Sequence, residues 1–86
     1  MRDTLYATEL ASAKLDGCRI ERLYVKAMAR DEIRFSFWQE GKMAMRPLDL
    51  PEAELLPLLR QAIENGVFSE PFLGELQTVL SQPRAT

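Results

Sequence analysis

The chain has 86 residues, with eleven Lys or Arg, thirteen Asp or Glu and no His, which gives a net charge of −2. This length allows one domain, residues 1–86, and excludes a second that folds independently. Hydrophobic residues make up 47% and charged residues 28%, so the chain can form a core and does not resemble a disordered segment.

The absence of histidine and the presence of one cysteine exclude several kinds of site. Cys18 cannot form an internal disulfide, and one thiol without histidine does not make a usual metal site. We therefore expect no metal, no cofactor and a reducing compartment, the cytoplasm. No segment is long and apolar enough to span a bilayer, so neither secretion nor membrane insertion is expected.

The first periodic segment, residues 4–15, is predicted to be a helix. Leu5, Leu10 and Leu15 lie among alanines, Thr4 can cap the start, and Gly17 can end the segment. The alternative is a strand that ends in a turn at Asp16 and Gly17. This choice decides whether the segment can cover a face of the sheet predicted next.

Residues 20–29, 33–38 and 42–47 are predicted to form a three-stranded antiparallel meander. Apolar residues there alternate with polar ones, and Ile33, Phe35 and Phe37 share one side. A three-residue loop at 30–32 would place Val25 opposite Phe37. A three-residue loop at 39–41 would place Phe37 opposite Met43 and keep that side apolar, whereas a two-residue loop would add Ala44 and Arg46 to it.

A helix is predicted over residues 51–65. Asp49 and Glu52 have the spacing of a capping box, and an apolar stripe of leucines ends at Asn65 and Gly66. Pro57 removes one backbone hydrogen bond, so we expect either a kink or a separate first turn.

A second helix is predicted over residues 70–82, with Ser69 as its N-cap. Val67 and Phe68 stand where a hydrophobic contact of the Schellman type would fix the connection between the helices. The predicted fold is therefore α+β, with the meander packed on one face by a C-terminal helical hairpin and preceded by the N-terminal helix.

The predicted pairing places aromatic, basic and methionine side chains on the sheet face opposite the phenylalanines. This predicted binding face consists of Tyr24, Lys26, Met28, Arg34, Trp38, Lys42 and Arg46. Trp, Tyr, Met and Arg are enriched at protein interfaces. The same mixture suits base stacking with phosphate contact, and a third interpretation is that the N-terminal helix packs on this face.

We expect a small non-enzymatic protein-binding or regulatory module, without catalytic residues or an evident small-molecule substrate. It would act as an accessory subunit, or as an inhibitor of a larger protein or nucleic-acid-handling complex, with a mobile element as one source. Its partner would be a protein, either a second copy or a heterologous one. The alternative function is single-stranded nucleic-acid binding through the same face, and an enzyme that uses carboxylates or tyrosines is a more distant third class.

Overall fold

The computed structural model describes residues 3–44 and 46–84. Its elements, in chain order, are β1 (Ala7–Leu15), β2 (Cys18–Val25), β3 (Arg30–Gln39), β4 (Lys42–Met43), β5 (Leu48–Leu50), α1 (Glu52–Glu64) and α2 (Glu70–Ser81). An antiparallel sheet followed by two helices confirms the predicted α+β class. The chain divides into two compact units, Met1–Leu55 and Leu56–Thr86. The expected single domain and the packing of helices on the sheet stay predictions.

The N-terminal segment is a strand, so the predicted helix over residues 4–15 is wrong and the alternative is right. β1 pairs with β2 through a tight turn at Asp16 and Gly17. A β-bulge between Glu9 and Ala11 interrupts the pairing. The extra residue at the bulge disturbs the two-residue period, and this explains why the segment lacks a strand-like alternation. The interpretation in which an N-terminal helix covers the sheet falls with it.

The pairing of β2 with β3 differs from the predicted register. The loop is the turn at residues 26–29, where Ala29 has a φ of 50°. Val25 therefore lies opposite Arg30 rather than Phe37. The acidic residues expected in the loop lie in β3 instead, where arginines form ion pairs with them. The observed register of β2 against β3 is displaced from the predicted one by an odd number of residues. It therefore changes which side chains of the two strands share a face.

The loop after β3 is a two-residue turn, so the predicted three-residue loop at 39–41 is wrong. Glu40 and Gly41 have φ values of 51° and 77°, as in the type I′ turn that matches strand twist. Trp38 consequently pairs with Met43. Of the strand predicted over 42–47, only Lys42–Met43 forms a strand, β4, and a second short strand, β5, follows at Leu48–Leu50. Both pair with β3. Pro47, which has no N–H to donate, lies between them. The expected pairing of Phe35 with Met45 lies outside the described residues.

The observed register defines two faces of the sheet. The cleft face carries Arg19, Glu21, Leu23, Glu32, Arg34, Ser36, Trp38 and Met43. The phenylalanine face carries Cys18, Ile20, Arg22, Tyr24, Ile33, Phe35, Phe37, Leu48 and Leu50. Among the described residues, the buried apolar side chains are Leu23 and Ile33, one on each face.

Helix α1 runs continuously through Pro57, so its first turn is not a separate element. The carbonyl of Pro51 accepts the N–H groups of Glu54 and Leu55, and this starts the helix. Asp49 does not complete the predicted capping box, because both of its carboxylate oxygens accept hydrogen bonds from Arg34.

The connection from α1 to α2 follows the predicted capping pattern. Gly66, with a φ of 76°, donates to the carbonyl of Ile63, and Val67 donates to that of Ala62. These two bonds define a Schellman motif. The Ser69 side chain then accepts the N–H of Phe72 at 3.3 Å and caps α2.

Candidate functional site: a cleft on the sheet

A cleft of about 400 Å³ opens on the cleft face of the sheet. Its wall combines aromatic, apolar and charged side chains. The lining residues are Thr4, Tyr6, Ala7, Glu9, Leu23, Arg34, Trp38 and Met43. A mainly apolar wall with a few converging polar groups is the usual composition of a binding pocket.

Trp38 is held in place from three directions. Its backbone N–H donates to the carbonyl of Gly17 at 2.7 Å, and its indole Nε1 donates to Ser36 Oγ at 2.9 Å. The guanidinium carbon of Arg19 lies 3.9 Å from the ring centroid, within the range of a cation–π interaction. The indole is therefore a pre-ordered wall of the cleft, and one of its faces already carries a cation.

Arg34 supplies the positive charge of the cleft and is itself fixed by a carboxylate on the neighbouring strand. Its Nε and a terminal nitrogen each donate to Asp49 at 2.8 Å, in a two-point pairing between β3 and β5. The hydrogen bonds to Asp49 raise the pKa of Arg34, with smaller contributions from the charges of Glu21 and Glu32. The guanidinium is thus permanently charged, and its orientation is fixed by the two bonds to Asp49.

Two carboxylates are buried on the same face of the sheet. Glu21 is 1% exposed and lies opposite Arg34 in the pairing of β2 with β3. Glu32 is 6% exposed, and one of its oxygens accepts two N–H groups of Arg30, at 2.8 and 3.1 Å. Buried carboxylates require such partners because an isolated charge in an apolar interior is very costly.

The segment before β1 forms one margin of the cleft and is fastened by Lys26. The Lys26 ammonium lies 2.9 Å from a carboxylate oxygen of Asp3 and donates to the carbonyl of Thr4 at 2.6 Å. The hydroxyl of Thr8 donates to the same carboxylate at 2.7 Å. The hydrogen bonds that the Asp3 carboxylate accepts, chiefly the one from Lys26 and then the one from Thr8, lower the pKa of Asp3. They place Tyr6, which is 80% exposed, at the mouth of the cleft.

The structure does not bring all seven predicted site residues together. Arg34 and Trp38 line the cleft, whereas Tyr24 lies on the phenylalanine face, because it pairs with Asp31. Lys42 lies opposite Gln39 and likewise away from the cleft.

The remaining three predicted residues lie outside the strands. Lys26 and Met28 belong to the turn between β2 and β3, and Arg46 lies in the connection between β4 and β5. The single platform expected from the sequence is therefore not formed, and two of its members contribute to a different site.

Sequence reasoning missed several residues of the cleft. Tyr6 lies in the segment predicted to be a helix, and the predicted three-residue loop places Met43 on the phenylalanine side, whereas the structure pairs it with Trp38. Arg19 is adjacent to Trp38 only because Gly17 and Trp38 pair across the strands. The Glu40–Gly41 dipeptide is the signal that could have found Met43, since a two-residue turn there sets the register that places Trp38 beside Met43.

The fold and the cleft together define a small α+β protein with a preformed aromatic and arginine-containing cleft on its sheet. This chain matches no protein-family model, no curated protein and no solved structure. None of the helices in residues 3–44 and 46–84 has the length and apolar character needed to cross a membrane. Within the same residues, no group of three or more Cys, Asp or Glu side chains is placed to hold a metal ion.

Proposed function

We propose that this chain is a small non-enzymatic protein-binding module of the cytoplasm and that the cleft is its binding site. The observation that supports this most directly is the convergence of Trp38, Met43 and Arg34 on one preformed cleft. Tryptophan and arginine are the residue types most enriched among interface positions that dominate affinity. The module would act as an accessory subunit or as an inhibitor that occludes a site on a larger protein.

The shape of the cleft favours a projecting side chain of the partner. A volume of about 400 Å³ suits one large side chain with its flanking backbone. Leu23 and Trp38 would surround the apolar part of that side chain. Arg34, which also lines the cleft, would favour an oxygen atom of the partner.

The alternative of single-strand nucleic-acid binding has weaker support. One face of the Trp38 ring already carries the Arg19 guanidinium, so less of the ring is open for base stacking. Glu9 lines the cleft, and the charge of Arg34 is paired with Asp49. The Glu9 carboxylate would repel a phosphate backbone, and the pair of Arg34 with Asp49 carries no net positive charge to attract one.

Two tyrosines on different sides of the sheet provide a matched test of the cleft. Tyr6 is 80% exposed at the cleft mouth, and Tyr24 is 38% exposed on the phenylalanine face. The full chain would be used to capture partners from an extract, and the affinity of each purified partner would then be measured by titration. We expect Tyr6→Ala to weaken binding at least about tenfold and Tyr24→Ala to change it less than about twofold.

The same titrations separate the two functions. Equal losses for both variants, or a loss confined to Tyr24→Ala, would contradict binding in the cleft. Quenching of Trp38 fluorescence by oligonucleotides, with affinity falling steeply as salt increases, would instead support nucleic-acid binding. Circular dichroism of both variants controls for folding, and Tyr6→Ala removes a side chain that is 80% exposed and contributes little to the core.

A further inference from the structure

One edge of the sheet is open over the second half of β1. Among the residues that the structure describes, β1 pairs with β2 on one side, and on the other side only Asp3 bridges to Thr8. The N–H of Thr4 donates to the carbonyl of Ala7 at 2.8 Å, so the start of the strand is covered. The segment from Ala11 to Leu15 has no described strand on that side, and every residue in it is exposed.

The direction of the backbone groups in this segment follows from the hairpin. In antiparallel pairing, residues alternate between those that hydrogen-bond to the neighbouring strand and those that point away from it. Leu15 and Cys18 flank a two-residue loop and form a hydrogen-bonded pair, so Ala13 does the same with Ile20. Ser12 and Lys14 therefore direct their N–H and C=O groups away from β2, toward the open edge.

This open edge lacks most of the features that prevent pairing with another strand. Proteins protect sheet edges with proline, with several charges or with a bulge. Between Ala11 and Leu15 there is no proline and one charge, Lys14. The bulge lies before Ala11 and leaves the five following residues in regular strand geometry.

We propose that this edge pairs with the same edge of a second copy of the chain, in an antiparallel dimer whose two-fold axis passes beside Ala13. Ser12 of each copy would then lie opposite Lys14 of the other and exchange backbone hydrogen bonds with it. Ala13 would face Ala13, and Ala11 would face Leu15. A two-fold axis perpendicular to the sheet keeps the faces continuous, as antiparallel pairing requires.

The side chains of this segment are complementary to themselves in that register. No like charges oppose each other, because Lys14 lies beside Ser12 and the central position is alanine. Leu15, which is 76% exposed in the single chain, would be partly covered by Ala11 of the second copy. Leu15 and Ala13 lie on the same side as Ile20, which is 50% exposed, so the dimer joins two exposed apolar strips into one surface.

Cysteine cross-linking tests both the dimer and its register. In a Cys18→Ser background, Ala13→Cys places two thiols across a non-hydrogen-bonded pair, whose Cα atoms are about 4.5 Å apart and within disulfide range. We expect Ala13→Cys to form a covalent dimer on mild oxidation and Ala11→Cys alone not to do so. A mixture of Ala11→Cys with Leu15→Cys should form the mixed dimer.

The association itself is measured by light scattering over a dilution series. We expect a dimer for the unaltered chain, and we expect Ala13→Lys to raise its dissociation constant at least about tenfold, because two lysines would face each other. Circular dichroism checks that the variant is folded. A monomer at every concentration would overturn the proposal, as would a dimer that Ala13→Lys leaves intact or that cross-links through Ala11→Cys alone. The experiment does not use the cleft, so its result is independent of the proposed function.

Discussion

Both faces of the sheet are formed by strands whose side chains alternate between the two faces, yet the faces bury different kinds of residue. On the cleft face, Glu21 is 1% and Leu23 is 2% exposed. On the phenylalanine face, Phe37 is 42% and Ile20 is 50% exposed. Hydrophobicity alone would assign the opposite order to Glu21 and Phe37. Arg34, which lies opposite Glu21 in the pairing of β2 with β3, places a positive charge near this buried carboxylate.

The arginines of the two faces also differ in how far their ion pairs are exposed to solvent. Arg34 on the cleft face is held at two points by a half-buried carboxylate, and its side chain is 23% exposed. Arg22 on the phenylalanine face contacts Glu52 at 2.7 Å and Asp31 at 3.2 Å, but both carboxylates are well exposed. The hydrogen bonds that Arg22 donates to these carboxylates, chiefly the one to Glu52, raise the pKa of Arg22. The first pairing organises a site, whereas the second is open to solvent screening.

Truncating one apolar residue on each face should give the largest contrast. Leu23→Ala removes a side chain that is 2% exposed, and we expect a loss of about 3 kcal/mol in the free energy of unfolding. Ile20→Ala, three residues earlier on β2, removes one that is half exposed, and we expect a loss below about 1 kcal/mol. Urea denaturation followed by Trp38 fluorescence measures both. Equal losses would show that these two positions do not differ in burial.

Removing the arginines should give the next largest contrast. Arg34→Ala deletes two hydrogen bonds to Asp49 and removes the positive charge that interacts with the buried Glu21 and Glu32, so we expect a loss of about 2 kcal/mol. Arg22→Ala should cost clearly less, because its partners are solvated. Arg34→Lys keeps the charge but not the two-point geometry and should fall between them. Urea denaturation followed by Trp38 fluorescence measures these variants as well. A larger loss for Arg22→Ala than for Arg34→Ala would contradict the difference between the two arginines.

A glycine next to the cleft tests how tightly Trp38 is held. A Cβ atom at Gly17 would lie 2.6 Å from the backbone oxygen of Trp38, so Gly17→Ala must displace one of the two strands. We expect a loss of about 1.5 kcal/mol and a changed Trp38 emission spectrum. Gly74 in α2 has no atom near the corresponding position, and Gly74→Ala should stabilise the helix by up to about 1 kcal/mol. An unchanged spectrum for Gly17→Ala would mean that the strands approach less closely.

The elements with local signals could be predicted, and those that depend on register could not. The N-cap at Ser69 and the glycine at Gly66 act on neighbouring backbone groups, and both helices begin and end within a residue or two of the expected positions. The strands β2 and β3 were also recognisable from alternation. Their register was not, because an ion pair such as Arg22 with Asp31 can move acids from a turn into a strand.

The register error affected the prediction of the candidate site more than that of the fold, because a site depends on which residues share a face. An error of an odd number of residues separated Tyr24 from Trp38 and concealed Arg19. Trp38 and Arg34 stayed together because both belong to one strand and are separated by an even number of positions. Which residues of one strand share a face can therefore be predicted from their spacing. Which residues of neighbouring strands lie together can be predicted only if the length of the connecting loop is known.

The smallest expected effect concerns the segment that borders the cleft, and it depends on pH. Bonds from Lys26 and Thr8 lower the pKa of Asp3 from its ordinary value of 3.8. A lowered pKa means that the ionised pair stabilises the folded chain fully above pH 3.8, and that this contribution is lost as the pH falls through the folded value. We therefore expect the stability difference between the unaltered chain and Asp3→Asn to be constant near neutrality and to close below pH 3.8. Urea denaturation at a series of pH values measures it, with Glu75→Gln on α2 as an exposed control. A difference that persists at pH 2, or that closes near neutrality, would show that Lys26 does not fasten this segment through Asp3.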